Sequence, residues 1–262
     1  MKQIIAGFSL SLFITLCSFT SLEIRNPYKV RTVVIDAGHG GHDPGTHGKT
    51  AKEKDIALKV ALQVGKLIKK QLPDVKVIYT RTTDKFVELQ DRAGVANKNH
   101  ADLFISIHCN AISKPSIYGT ETYVLGLHKS QDNLDVAKRE NSVILQEKDY
   151  EEKYEGFDPN SAMAHILLAN YQSAYIDNSL RLASHIEDQF EKRVNRKSRG
   201  VKQAGFIVLW KTSMPSVLIE IGYLTNQAEE RYLVKPENQE LISSGIFRAF
   251  RDYKQDIESM ND

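Results

Sequence analysis

The sequence predicts an α/β fold: a central, mostly parallel sheet flanked by helices on both faces, with a helical insertion. Three observations predict it. Short β-branched runs at 32–35, 75–79, 103–107 and 216–221 alternate with segments of helical periodicity at 53–71, 87–99 and 176–194. Strands separated by helices of that length join through right-handed crossovers, which makes them parallel neighbours. The first run stops in a glycine-rich loop that carries a histidine, Asp36-Ala37-Gly38-His39-Gly40-Gly41. Lastly, the alternation breaks over residues 126–175, a charged stretch too long for a structureless loop inside a compact domain.

The bulk numbers suit one globular unit. With 262 residues, 41% hydrophobic and 26% charged, the chain can bury a good core, and the unit is placed at 32–258. The formal net charge of +2 and the absence of a basic stripe interleaved with aromatics argue against nucleic acid as a partner. Met1-Lys2 followed by an apolar stretch from Ile4 to Phe19 has the make-up of a secretory signal and falls short of the ~20 residues of a membrane span. Residues 1–21 are therefore expected to be removed on export to the periplasm or cell envelope, leaving a linker at 22–31 and no membrane span. An uncleaved anchor is the competing reading of the same stretch, and lipidation at Cys17 is disfavoured by the bulky Leu16. After cleavage Cys109 is the one remaining cysteine, so an intramolecular disulfide is not available.

Taken in order, the first strand covers 32–35, and the loop from Asp36 to Lys52 holds five glycines and Pro44. In the helix at 53–71, Ile56, Val60, Val64, Leu67 and Ile68 fall on one face. A strand at 75–79 leads to a polar turn, then a helix at 87–99 and the strand at 103–107. A further strand is expected at 119–125. After the insertion, with helices of its own, come a helix at 176–194, strands at 206–209 and 216–221, and closing helices at 227–234 and 236–257.

Three apolar runs deliver a metal-competent or proton-transferring side chain at their ends: His39, His108 and Glu220. A lone loop histidine more often bonds a carbonyl, but His39 has company. Glu53 opens the first helix just after the loop, where a carboxylate also suits the helix N-terminus. Two histidines and a carboxylate with an open position form a catalytic zinc set, whereas a structural zinc is closed by four protein ligands. Glu220 lies inside Ser216-Val217-Leu218-Ile219-Glu220-Ile221, where an unpaired carboxylate is costly to bury. It needs either a cationic partner (Arg81, Arg92 or Lys211) or work as a general base and acid. Adjacent strand residues face opposite ways, so Cys109 is expected to point away from a site that His108 faces. His42 and His47 share the loop but lack the same support.

These motifs carry a resemblance. Asp36-Ala37-Gly38-His39-Gly40-Gly41 with Asp43 and Gly45, Glu53-Lys54, Ser106-Ile107-His108 with Asn110-Ala111, Gly119-Thr120-Glu121, and Leu218-Ile219-Glu220 with Gly222 and Thr225-Asn226 resemble the zinc-dependent N-acetylmuramoyl-L-alanine amidases of bacterial cell walls. The resemblance covers about 33–257. It implies one Zn2+ held by His39, Glu53 and His108, with Glu220 catalytic and Asn110 and Arg92 supporting or contacting substrate. It also implies peptidoglycan as substrate, cleaved between N-acetylmuramic acid and L-alanine of the stem peptide during wall remodelling and daughter-cell separation. Glu121 lies in a shared motif without an evident role. Cys109 replaces a small apolar residue and Ala51 a frequent glycine. The insertion at 126–175 matches the place of an inhibitory helix in some relatives, so it is read as a lid displaced by a protein activator. Its acidic cluster, Glu147 to Glu155, is the expected source of a carboxylate covering the metal. Two rivals are a catalytically latent peptidoglycan-binding module and a zinc peptidase acting within the stem peptide; the latter lacks a His-Glu-x-x-His motif.

Overall fold

Runs of β-branched and aliphatic residues form strands because their side chains pack on a pleated surface buried on both sides. The computed structural model describes residues 29–114, 116–170 and 174–260. Its strands are β1 (Thr32–Ala37), β2 (Lys76–Tyr79), β3 (Leu103–Asn110), β4 (Thr120–Leu125), β5 (Ser198–Ala204) and β6 (Ser216–Tyr223). They make one sheet in the order β2-β1-β3-β6-β4-β5. β1 pairs parallel with β2 and β3, β3 with β6, and β4 with β5, while β4 runs antiparallel to β6. The sequence-based signal, linker and lipidation assignments at 1–28 lie outside the described residues. Among the described residues no helix is long and apolar enough to cross a membrane.

Period-two alternation splits the core between the sheet's two faces. Val33, Ile35, Leu103, Ile105, Ile107, Val217 and Ile219 pack with α1 (Glu53–Gln71), α6 (Ile176–Lys192) and α9 (Pro236–Ser259). Val34, Phe104, Tyr123 and Leu218 pack on the other face against α2 (Leu89–Lys98), α3 (Gln131–Asn141) and α7 (Ile207–Trp210). By the same alternation Asp36, His108, Asn110, Glu121 and Glu220 belong to the second face, at or near the strand ends. Cys109 points the other way into the first core and is fully buried.

The helix at 53–71 is observed with those bounds. Two expectations fail at one place. Residues 206–209 are not a strand: Ile207–Trp210 is a helical turn, and an uninterrupted apolar run has no period with which to choose between the two. The strand there is β5, Ser198-Arg199-Gly200-Val201-Lys202-Gln203-Ala204, whose polar composition conceals it. It lies at the sheet edge, where charged residues discourage pairing with other chains. Between β4 and α6, the charged segment folds into α3, a 3₁₀ turn (Ser142–Gln146), α4 (Tyr150–Lys153) and α5 (Ala162–Ala169). α8 (Gln227–Leu233) starts under Asn226, whose side chain caps the Ala228 and Glu229 amides.

Candidate metal centre

β1 ends by delivering its chain into a loop that must double back to α1, and glycines make that return feasible. A Cβ on Gly38 would lie 2.4 Å from the His108 ring, and one on Gly45 (φ +64°) 2.5 Å from that of His39. Two buried arginines hold the loop by its carbonyls. Arg81 donates from Nη2 to both Gly38 O (2.7 Å) and Lys54 O (2.8 Å), tying the loop to the first turn of α1. Arg92 donates to Asp36 Oδ1, Ala37 O and His39 O. Arg92 is 2% exposed and is bonded to the loop, and it also lines the cavity over the centre.

The loop thereby sets His39 beside Glu53 and His108. His39 Nε2 lies 3.1 Å from Glu53 Oε1, and His108 Nδ1 lies 3.0 Å from the same oxygen. A fourth group joins them: Glu140 Oε2, in the last turn of α3, is 3.1 Å from each of those nitrogens. The four donor atoms fall within 4.8 Å of one another, and together these buried residues can hold a metal ion. His42, stacked on Phe86, and His47 stay outside the group.

The surroundings prepare the donors for a cation. Asp43 Oδ2 accepts from His39 Nδ1 at 2.6 Å, which leaves the Nε2 lone pair facing the cluster. Glu53 receives the Cys109 amide on Oε1 (2.8 Å) and the Thr46 amide on Oε2 (2.7 Å), fixing its rotamer. His39 Nε2 and Glu140 Oε2 are buried without a hydrogen-bond donor or acceptor of their own, an arrangement a bound ion satisfies. Burial opposes charge on His39, but Glu53, Asp43 and Glu140 overcome it and hold the imidazole well above its ordinary pKa. A cation among these groups competes directly with that proton.

Glu220 sits beside His108, its register partner across β3 and β6. None of the three cationic partners considered from sequence reaches it; the nearby cation is Arg139 of α3, 3.8 Å from Oε1. Both carboxylate oxygens are buried without a hydrogen bond. Burial raises its pKa well above the usual carboxylate range, the Glu140 charge adds to this, and Arg139 opposes it. A buried carboxylate whose proton affinity is raised in this way is suited to taking up and returning a proton. Asn110 is fully buried, donates to Glu121 (3.1 Å) and accepts from Arg139 (2.9 Å).

Glu140 was not anticipated, and the acidic cluster at 147–155 does not supply the covering carboxylate. Glu147 instead takes the Leu89 amide and the Tyr154 hydroxyl. Nothing in the local sequence distinguishes Glu140 from its charged neighbours; its position follows from how α3 docks. Arg139 bonds Ala111 O and Asn110 Oδ1, and Asn141 bonds Gly205 O and the Ile207 amide. With α3 in place the cavity over the centre, lined by His39, His108, Glu140 and Leu218, holds only about 10 Å3.

The fold and the cluster define an α/β protein with a metal-competent centre on one face of its sheet. Residues 33–252 match the family model for N-acetylmuramoyl-L-alanine amidase, and the chain belongs to that family. It is 33% identical to the amidase AmiA of Escherichia coli K12 over 226 residues, 85% of this chain and 76% of AmiA. An N-acetylmuramoyl-L-alanine amidase from Clostridium difficile 630 superimposes with a TM-score of 0.64 at 29% identity, covering 86% of this chain and 97% of its own. The CwlD amidase of Clostridioides difficile, solved in complex with the GerS lipoprotein, gives 0.62 at 25% identity, covering 85% and 98%.

Proposed function

We propose that this protein is a zinc-dependent N-acetylmuramoyl-L-alanine amidase that hydrolyses the amide joining the lactyl group of N-acetylmuramic acid to L-alanine of the peptidoglycan stem peptide. The observation that carries the reading is the buried two-histidine, two-carboxylate cluster with Glu220 beside it, in a chain of this family. His39, Glu53 and His108 would hold the zinc, with Glu140 of α3 within reach of the same ion. When bound, the ion supplies Lewis-acid chemistry, polarising a carbonyl oxygen and lowering the pKa of water.

The chain's own residues do the rest. Glu220 takes the proton of the attacking water and returns it to the alanine nitrogen as the carbon–nitrogen bond breaks. Its buried, unsatisfied oxygens and raised pKa suit both transfers. Asp43 keeps His39 in the ligating tautomer, and the Cys109 and Thr46 amides keep Glu53 in place.

Residues 126–175 act as a lid. Glu140 must leave before a substrate carbonyl can enter, because the cavity over the centre is too small for it. A protein activator displaces α3 by competing with the bonds of Arg139 and Asn141. The enzyme works on the wall after export, in remodelling and daughter-cell separation.

The test is product identity. Zinc-loaded Glu140→Ala protein, in which the covering carboxylate is gone, should expose new L-alanine amino termini on isolated peptidoglycan, and neither the metal-stripped protein nor the same protein carrying Glu220→Ala should do so. Appearance of other amino termini would contradict the amidase in favour of a peptidase.

A further inference from the structure

The cavity over the metal centre is not the only one on this face of the sheet. A second cavity, of about 240 Å3, opens between α3 and the strands β4 and β5. Its floor is built on Glu121, which stands opposite Glu220 in the antiparallel β4–β6 pair and is 1% exposed. Five donors converge on this carboxylate: Asn110 Nδ2 and the Tyr123 hydroxyl on Oε2, and Arg199 Nε, Lys202 Nζ and the Tyr223 hydroxyl on Oε1.

One buried carboxylate thus faces two cations. The floor carries a net positive charge, and both cations keep 20–25% of their side-chain surface exposed along β5. Lys202 and Arg199 have more N–H groups than Glu121 can accept. Arg139 also lines the cavity, but it is paired with Glu140 at 3.0 Å. The acidic groups Asp132 and Asp135 are confined to the exposed rim on α3. A cavity with this floor is suited to an anion.

Resting on the amidase reading, we propose that this cavity receives the free α-carboxylate of the second stem-peptide residue, with Arg199 and Lys202 as the receiving cations and Glu121 as the residue that positions them. In the stem peptide the residue after L-alanine is a D-glutamate joined through its γ-carboxyl, so its α-carboxylate projects from the chain. That group lies about two residues, roughly 7 Å, from the scissile amide. β5 lies two strands from β6, roughly 10 Å away, and the long side chains of Arg199 and Lys202 lean back towards β6 to reach Glu121. The enzyme therefore distinguishes stems with a free carboxylate from those amidated at this residue.

Two synthetic probes test this: L-Ala-γ-D-Glu-L-Lys and the same tripeptide with D-isoglutamine at the second position. They are titrated calorimetrically into the zinc-loaded full chain. The acid should bind at least about tenfold more tightly, as expected for charge-assisted bonds replaced by weaker neutral ones. The preference should vanish in the double variant Arg199→Met, Lys202→Met and partly return with Arg199→Lys. Equal binding of both probes, binding of neither, or a preference that survives in a double variant melting like the wild type would overturn the proposal. The wild-type comparison needs no variant and stands if the double variant does not fold. Release of L-alanine termini from peptidoglycan is a separate readout, so failure of the amidase reading and failure of this cavity's assignment give different patterns.

Discussion

At the scale of single residues, the centre is a set of imidazoles and carboxylates each fixed by a neighbour. His39 depends on Asp43, and exchanging that carboxylate for a neutral amide removes the charge that holds the tautomer. Asp43→Asn should lower metal affinity about 10–100-fold, read by competition with a chromophoric chelator; unchanged affinity would remove Asp43 from the account. Asp36 is the other buried anchor, bonded by Arg92, Thr80 and Ser106. Burial pushes its pKa up, but Arg92 and the two hydroxyls overcome this and hold it below the usual carboxylate range. Because the folded pKa is depressed, this contribution is complete above the unfolded value near 4 and is lost as pH falls through the folded one. Asp36→Asn should thus cost about 3–5 kcal/mol at neutral pH, with the deficit shrinking below about pH 4 in urea titrations. His39, Glu53 and His108 were legible because each follows a strand or opens a helix beside the glycine loop. Glu140 was not, since only the docking of a remote helix brings it there.

At the scale of elements, α3 carries the carboxylate that completes the cluster. It packs Val136 and Ala137 into the second core and is tied at its C-terminal end by polar bonds, from Arg139 to Ala111 and Asn110 and from Asn141 to Gly205 and Ile207. Bonds of this kind contribute modestly in net terms, about 1 kcal/mol each. Asn141→Ala should increase amide exchange across 131–146 and raise basal hydrolysis several-fold; unaltered exchange there would show that Asn141 does not latch the helix. α1 could be read from sequence at both ends because its apolar stripe is strong and Pro73 follows. β5 escaped because Ser198, Arg199, Lys202 and Gln203 are edge residues with no apolar alternation, while the adjacent Phe206–Leu209 run imitates a strand. The polar strand that was missed also carries the two cations of the second cavity, which is why that cavity had no signal in the sequence beyond the unexplained Glu121.

At the scale of the molecule, the sheet gathers the functional groups on one face. Asp36, His108, Glu121 and Glu220 lie along neighbouring strands, while α1, α6 and α9 bury the opposite face. The parallel core was legible in the order of strands and helices; the reversed direction of β4 was not, because sequence order alone does not say on which side of β6 a strand inserts. A metal that binds the folded chain and not the unfolded one stabilises it by mass action, by about 2.7 kcal/mol at a hundredfold excess over Kd. Stripping it should lower Tm by roughly 5–10 °C, and no change on calorimetry would argue against a buried centre. The central claim is that a complete amidase site is held shut by the chain's own Glu140. Its most direct test compares the rate at which zinc-loaded wild type and Glu140→Ala expose L-alanine amino termini on isolated peptidoglycan, with bound zinc measured in both. The account predicts a rate at least about tenfold higher for the variant with one zinc still bound. A variant that keeps its zinc and hydrolyses no faster than the wild type would contradict it.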